Sequence, residues 1–274
     1  MFSILNLQSL LGVVVIVAVC WAISENRRAF PWRLTIGAIA VQALLVLALF
    51  AIPGSQAVLA AVTGAVDGLA VATTEGTKFV FGYLAGGDQP YAVQNQGALF
   101  TFAFQVLPLI LVISALSALL WHWRILKWIT LGFGFLFQKT MGLGGASALA
   151  VAANIFLGMI ESPIVIRAYL DKLTRSEIFL MMVVGLATVA GSTMVAYATI
   201  LAPVLPNAAG HVLVASIVSA PAGVLLARII IPEQPGMGGA VADYDSALKY
   251  DSAIDAIVKG TSDGLMVVLN ISAG

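Results

Sequence analysis

Five long stretches of predominantly apolar residues constrain the fold of this 274-residue chain more than any other feature. A helix needs about 20 such residues to cross the hydrocarbon core of a bilayer, because each residue advances the helix by about 1.5 Å. We therefore predict an all-α polytopic membrane protein with about five transmembrane helices. The five stretches are residues 7–23, 34–52, 98–120, 178–201 and 212–231.

The composition excludes the main soluble classes of protein. Hydrophobic types make up 61% of the residues and charged types only 9%, whereas a soluble domain carries about 25% charged residues. A water-facing surface cannot be built from so few charges, which excludes a soluble enzyme or a nucleic-acid-binding protein. No phosphate-binding loop of the form GxxxxGK[ST] occurs in the sequence, so we do not expect an ATPase. We expect neither enzyme activity nor a covalently bound cofactor.

Basic residues indicate which side of the membrane each loop occupies. They occur in four groups, within residues 24–33, 121–139, 167–177 and 228–259, whereas the segment 55–97 holds only Lys78. Cytoplasmic loops carry an excess of Lys and Arg, and one arrangement of the spans places 12 of the 13 basic residues in the cytoplasm. That arrangement predicts a multi-pass membrane protein with its N-terminus outside.

Two further segments do not fit simple spans. Residues 55–97 mix apolar residues with charges and many glycines, which favours an amphipathic helix lying in the membrane interface. Residues 141–166 are apolar, but basic groups assigned to the cytoplasm lie on both sides of them. A re-entrant hairpin that enters and leaves from the cytoplasm satisfies both groups. Its turn, near residues 158–163, would carry Glu161 to membrane depth.

Three polar features of this region each allow two interpretations. Glu161 either caps a helix end near the interface or contacts a polar substrate or coupling ion, since an ionisable group at the bilayer centre costs at least about 2.5–3.5 kcal/mol. Asn154 either cross-links helices or supplies an oxygen to a small cation. The small polar run 188–193 either permits close helix packing or marks a broken helix whose carbonyls and hydroxyls coordinate Na⁺.

Several longer motifs carry a family resemblance. The clearest is AANIFLGMIESPIVIR at residues 152–167, followed by LTRSE at residues 173–177. Supporting motifs occur in the same order along nearly the whole chain, at residues 75–82, 102–108, 219–222 and 255–262. Together they resemble the concentrative nucleoside transporter family. This resemblance implies a homotrimeric importer that couples nucleoside uptake across the inner membrane to a cation, either Na⁺ or H⁺.

The resemblance also implies functional residues. The hairpin tip, which recognises the nucleobase in the family, corresponds to Met159, Ile160 and Glu161, and Thr193 corresponds to a position lining the base pocket. The Na⁺ site corresponds to Asn154, the carbonyl of Leu157, Thr188 and the carbonyl of Val189. The family commonly has Gln-Thr-Glu at the tip. Met159 and Ile160 cannot form the amide and hydroxyl hydrogen bonds of that motif, so an altered base preference is expected.

The resemblance divides the chain into three parts. Residues 1–138 would form scaffold helices with the interfacial segment 55–97, and residues 139–204 the re-entrant hairpin and broken helix of a transport domain. Residues 205–274 would form a scaffold helix, a cytoplasmic interfacial helix and, from residue 263, the start of a further span. On this basis the chain is the N-terminal part of a symporter and is inactive alone. The alternative is a membrane-embedded structural or assembly subunit without a transport site.

Overall fold

The computed structural model describes residues 4–50, 54–93, 99–159, 161–201, 204–233 and 249–273, and these ranges contain helices, turns and loops but no strand. The α-helices, in chain order, are α1 Ile4–Ala22, α2 Trp32–Phe50, α3 Ser55–Phe81, α4 Phe102–Gln105, α5 Leu107–His122, α6 Ile125–Met141, α7 Gly145–Asn154, α8 Glu161–Val165, α9 Arg175–Ala187, α10 Gly191–Leu201, α11 Ala208–Ile230 and α12 Ala253–Ala273. The predicted all-α polytopic class is confirmed.

Four helical stretches in the described residues are long and apolar enough to cross a membrane. They are Trp32–Leu49, Phe102–His122, Arg175–Leu201 and Ala208–Ile230, and the apolar helix α1 adds the shorter stretch Leu11–Ala22. Many apolar side chains of α1 and α2 point away from the protein. Such an outward apolar surface fits contact with lipid chains rather than with water.

Helix α11 lies at the centre of the bundle. Of its residues 61% are buried, against 11–39% in the other three candidate spans. It contacts α9, α2, α10, α3 and α1, and the main apolar core gathers around it. Fully buried members of that core come from five helices, namely Val41, Phe137, Val151, Leu180 and Val224.

The chain doubles back after α7. The hydroxyl of Ser162, in α8, donates a 2.7 Å hydrogen bond to the carbonyl of Ala150, twelve residues earlier in α7. Val165 and Ile166 then pack in the same apolar cluster as Ala146, at the start of α7. Helix α8 therefore packs against α7.

A buried ion-pair network holds the start of α9 against the end of α11. Thr174 and Glu177 form a capping box that begins α9. Arg228, whose side chain is 5% exposed, pairs with Glu233 and donates a 2.7 Å hydrogen bond to the hydroxyl of Ser176. A cavity of about 460 Å³ lies beside this network. Because Arg228 and Glu233 already bind each other, the cavity offers a ligand no unpaired charge from this pair.

Helix α12 differs from the predicted layout of the C-terminal segment. The sequence analysis expected a cytoplasmic interfacial helix followed, from residue 263, by the start of a further span, whereas the structure has one continuous helix from Ala253 to Ala273. The helix packs along α5 through Gly260 and Gly264. Glycine at both positions lets the two backbones approach closely. This packing explains why α12 is a single helix although its sequence changes from polar to apolar.

Candidate functional site

Two interrupted helices lie against each other at their breaks. The first break follows α7, and the second, at residues 188–190, separates α9 from α10. The Thr188 hydroxyl donates to the carbonyl of Asn154 at 2.9 Å, and the Gly191 amide donates to the carbonyl of Phe156 at 3.0 Å. Backbone groups that an unbroken helix would use internally therefore join the two segments.

Ser216, in α11, contacts both breaks. Its hydroxyl oxygen accepts a 3.1 Å hydrogen bond from the amide of Val189. The hydroxyl lies 3.2 Å from the carbonyl oxygen of Ile155 and 3.4 Å from that of Val189. The sequence analysis missed Ser216, because a single serine inside an apolar span has no distinctive pattern.

Asn154 has an unsatisfied oxygen at this crossing. The residue is 1% exposed, and its side-chain amide donates to the carbonyl of Met181 at 3.2 Å. Its Oδ1 atom is buried and has no hydrogen-bond partner in the described part of the chain. A buried acceptor without a partner costs about 1–3 kcal/mol. Such an atom in a native structure calls for an explanation, of which an unplaced ion or water is one.

The crossing brings together the four residues that the resemblance implies for a Na⁺ site. Thr188 is 8% exposed and binds the backbone of Asn154 directly. Leu157 directly follows Phe156, whose carbonyl accepts a hydrogen bond from the Gly191 amide. The amide of Val189 donates a hydrogen bond to Ser216. Amide, hydroxyl and carbonyl oxygens are the ligands that hard cations take in proteins. The donor set and the orphaned Oδ1 atom both fit a small cation.

A cavity of about 520 Å³ opens beside the crossing. Met159, Thr188, Val189 and Thr193, all named by the sequence analysis, line it. Its volume falls within the range of about 300–1,000 Å³ that is typical of small-molecule sites. Ile160 lies outside the described residues. Glu161 begins α8, but its side chain is also outside what the structure describes.

The opposite wall of the cavity comes from α12. Asp263, Met266, Val267 and Asn270 line it, at the spacing that places residues on one helix face. The sequence analysis did not identify Asp263 or Asn270, because it assigned both residues to the start of a further span. Their seven-residue separation inside an apolar helix was a signal available in the sequence.

Gly185 lets the hairpin turn approach α9. A Cβ atom at this position would lie 2.7 Å from the Cβ atom of Met159 and 3.5 Å from Oδ1 of Asn154. The first distance is shorter than real Cβ contacts allow, so any side chain here would displace the turn. Glycine at position 185 therefore allows both Met159, in the cavity wall, and Asn154, the candidate cation ligand, to pack against α9.

Interrupted helices that cross inside an apolar bundle, beside a cavity and an unpaired oxygen, are typical of secondary transporters. A family model described as "Na+ dependent nucleoside transporter N-terminus" matches residues 11–84, and one described as "Nucleoside recognition" matches residues 103–204. The chain belongs to the concentrative nucleoside transporter family. The resemblance found in the sequence is confirmed.

Relatives with assigned names are transporters rather than enzymes. The chain is 36% identical to the nucleoside permease NupC of Helicobacter pylori, over 98% of this chain and 62% of that protein. It is 30% identical to the sodium/nucleoside cotransporter 1 of Rattus norvegicus, over 98% of this chain and 39% of that protein. The chain thus spans about three fifths of the length of the bacterial relative.

A solved structure shares the fold. CNTnw in an inward-facing, substrate-bound state superimposes with a TM-score of 0.82 and 30% sequence identity. The match covers 97% of this chain and 61% of that chain. The fold of these residues is therefore that of a concentrative nucleoside transporter over the matched part.

Proposed function

We propose that the chain takes part in cation-coupled nucleoside uptake across the inner membrane. The observation that supports this most directly is the buried, unpaired Oδ1 atom of Asn154, at the point where two interrupted helices cross. The atom lies beside a cavity of about 520 Å³. A cation site next to a substrate-sized cavity is the arrangement that ion-coupled transport needs.

The backbone favours a cation at the crossing. Helix α7 ends at Asn154 and α9 ends at Ala187, and a helix C-terminus carries a partial negative charge of about half an elementary charge. The amide of Gly191, which opens α10, already donates to Phe156. We assign Asn154, Thr188 and the carbonyls of Leu157 and Val189 to a Na⁺ site, and H⁺ remains the alternative coupling ion.

Nucleoside binding is assigned to the cavity. Met159 and Thr193 line it, and Ile160 and Glu161 follow Met159 in sequence. Met159 is 54% exposed and presents an apolar thioether where the family commonly has an amide. A nucleobase would therefore gain dispersion contact with Met159 in place of a hydrogen bond. We expect Glu161 to supply the remaining polar contact.

Coupling follows from the shared parts of the two sites. Thr188 and Val189 belong to the proposed cation site and also line the cavity. A cation bound there would hold the break between α9 and α10 in one arrangement and so preorganise the cavity for the nucleoside. By thermodynamic linkage, the nucleoside would then raise the affinity for the cation by the same factor.

The remaining topology belongs to the same proposal. Residues 139–204 would form the moving transport part, with the doubled-back α7–α8 segment as a re-entrant hairpin, while residues 1–138 and 205–274 would contribute scaffold. The N-terminus would lie outside, and the assembly would be a homotrimer. The chain would supply the N-terminal part of the symporter and would not transport alone.

Radiolabelled uptake tests this proposal. The protein that contains this chain is reconstituted in proteoliposomes, and uridine and adenosine uptake is measured with an imposed Na⁺ gradient, an H⁺ gradient or neither. Uptake that follows one of the gradients supports the proposal, and uptake that ignores both contradicts it. Glu161→Gln is expected to abolish uptake.

A matched pair of variants separates transport from a purely structural role. If the chain were an assembly subunit without a transport site, Asn154→Ala and Glu161→Gln would affect folding alone. Glu75→Gln is the control, because Glu75 forms an exposed pair with Lys78 on α3, away from the cavity lining. Equal uptake in all three variants would favour the structural role.

A further inference from the structure

Asp263 lies midway along α12, beside the part of α5 that belongs to the candidate span Phe102–His122. A Cβ atom at Gly260 would lie 2.7 Å from that of Ala118, and one at Gly264 would lie 3.1 Å from the Cα atom of Leu111. Helices α12 and α5 are therefore antiparallel, and Asp263 is level with Ser114. Ser114 precedes His122, at the end of α5, by eight residues, which is about 12 Å along the helix.

Within the part of the chain that the structure describes, no basic side chain compensates the charge of Asp263, whose side chain is exposed. Among the residues that the structure describes, it forms neither an ion pair nor a hydrogen bond, and the remaining segments contain no basic residue. The nearest basic residue on its own helix, Lys259, is bound to Asp255 at 2.8 Å. An ionisable group beside a membrane span is costly, so it marks a functional site whose partner remains to be named.

Two cavities meet at Asp263. It lines the cavity of about 520 Å³, and it also lines a small cavity of about 30 Å³ between α5, α12 and the turn after α7. Ser114 and Ser117 contribute hydroxyl groups to the small cavity, and Leu157 contributes from the turn. This space is large enough to hold a water molecule. It is also large enough for a dehydrated Na⁺ ion.

We infer that Asp263, with the hydroxyls of Ser114 and Ser117, forms a Na⁺ site between α5 and α12, separate from the Asn154–Thr188 crossing. A carboxylate and two hydroxyls offer hard oxygen ligands, and a bound Na⁺ ion neutralises the charge of Asp263. The inference rests on the proposed function for the identity of the cation. Leu157 lines the same cavity, so an ion here would be adjacent to the turn that leads to the hairpin tip.

Thermal unfolding of the purified protein tests this site without requiring transport. Na⁺ replaces choline at constant ionic strength and constant pH, and Tm is measured for the wild type and for Asp263→Asn. Because the amide removes the uncompensated charge, Asp263→Asn is expected to have a higher Tm than the wild type without Na⁺. Its Na⁺-dependent rise in Tm is expected to be at least about twofold smaller, since one of two sites is lost.

Two further variants keep the test decisive. For Ser117→Ala, the Na⁺ concentration that gives half of the full rise in Tm is expected to be about threefold higher or more. If Asp263→Asn does not fold, this variant alone tests the site. Asp67→Asn is the control, because Asp67 lies on α3 outside the lining of both cavities, and it should keep the wild-type Na⁺ response.

An unchanged Na⁺ response in both Asp263→Asn and Ser117→Ala would overturn the inference. The inference would also be overturned if Asp263→Asn removed a stabilisation that depends on pH and not on Na⁺. In that case Asp263 would bind a proton instead of Na⁺. Uptake assays separate this outcome from a failure of the proposed function. If the wild type shows Na⁺-coupled uptake but Asp263→Asn keeps the wild-type rise in Tm with Na⁺, only this site is contradicted. If Asp263→Asn reduces the rise in Tm with Na⁺ but the wild type takes up no nucleoside, only the proposed function is contradicted.

Discussion

The hydroxyl of Thr188 lies 2.9 Å from the backbone carbonyl of Asn154, 34 residues earlier in the chain. The same hydroxyl is 2.9 Å from the carbonyl of Val184, one turn back in its own helix. One side chain therefore joins the end of α9 to the end of α7. This contact places the polar run 188–193 and the motif around Asn154 at one crossing, where neither could act alone.

Asn154→Ala should weaken the binding of the coupling cation, because it deletes the unpaired Oδ1 atom along with the amide that binds Met181. The measurement is the Na⁺ concentration that gives half-maximal uptake, which should rise by about tenfold or more, or about 1.4 kcal/mol. Thr130→Val is the control. Thr130 is fully buried in α6, and its hydroxyl also has no partner among the described residues.

The two unpaired oxygens should behave differently on removal. At Thr130, replacing an unsatisfied hydroxyl with a methyl group of the same shape should leave stability unchanged or raise it by about 1 kcal/mol, with uptake intact. A variant of Asn154 that kept wild-type Na⁺ dependence would show that its Oδ1 atom is not a cation ligand.

Ser216→Ala should loosen the crossing of the two interrupted helices. The change leaves the amide of Val189 without its acceptor, at a cost of about 1–3 kcal/mol in the free energy of unfolding. Denaturant unfolding and uptake are measured together. Ser219→Ala, one turn later on α11, removes a hydrogen bond to Ala187 that does not join the breaks, and it should retain more uptake. Equal effects of the two variants would argue against a special role for Ser216.

Gly260→Ala should separate α12 from α5. The added methyl group would lie 2.7 Å from the Cβ atom of Ala118 and 2.7 Å from the carbonyl oxygen of Ser114, so the helices must shift. We expect a loss of about 1–3 kcal/mol in unfolding free energy. Gly68→Ala in α3 meets nothing within 4 Å and should instead stabilise the helix by about 0.5–1 kcal/mol. Unfolding of both variants in detergent measures the difference.

Arg228→Ala should be strongly destabilising, because it leaves Glu233 and the nearby Glu177 without the buried cation. Removing one partner of a buried pair costs about 3–5 kcal/mol. The exposed pair of Arg175 with Glu25 provides the control. Arg175→Ala should change stability by at most about 1 kcal/mol. Comparable losses in both variants would mean that the Arg228 network contributes no more than a surface pair.

The sequence alone predicted the fold class and the family. Long apolar stretches are local features, and their length relative to the bilayer decides the class without knowledge of packing. The motif at residues 152–167 identified the family for the same reason, because it is contiguous. The resemblance also named Asn154, Thr188 and Thr193 before their positions in space were known.

Only the tertiary structure decided which polar groups meet and which remain unpaired. Whether the Oδ1 atom of Asn154 has a partner depends on residues 27 and 34 positions away in the chain. The roles proposed for Ser216 and Asp263 become visible only when α11 and α12 are packed beside the breaks. Apolar patterning determines that a helix is in the membrane, but the cost of an unsatisfied polar atom depends on its neighbours, and those are set by packing.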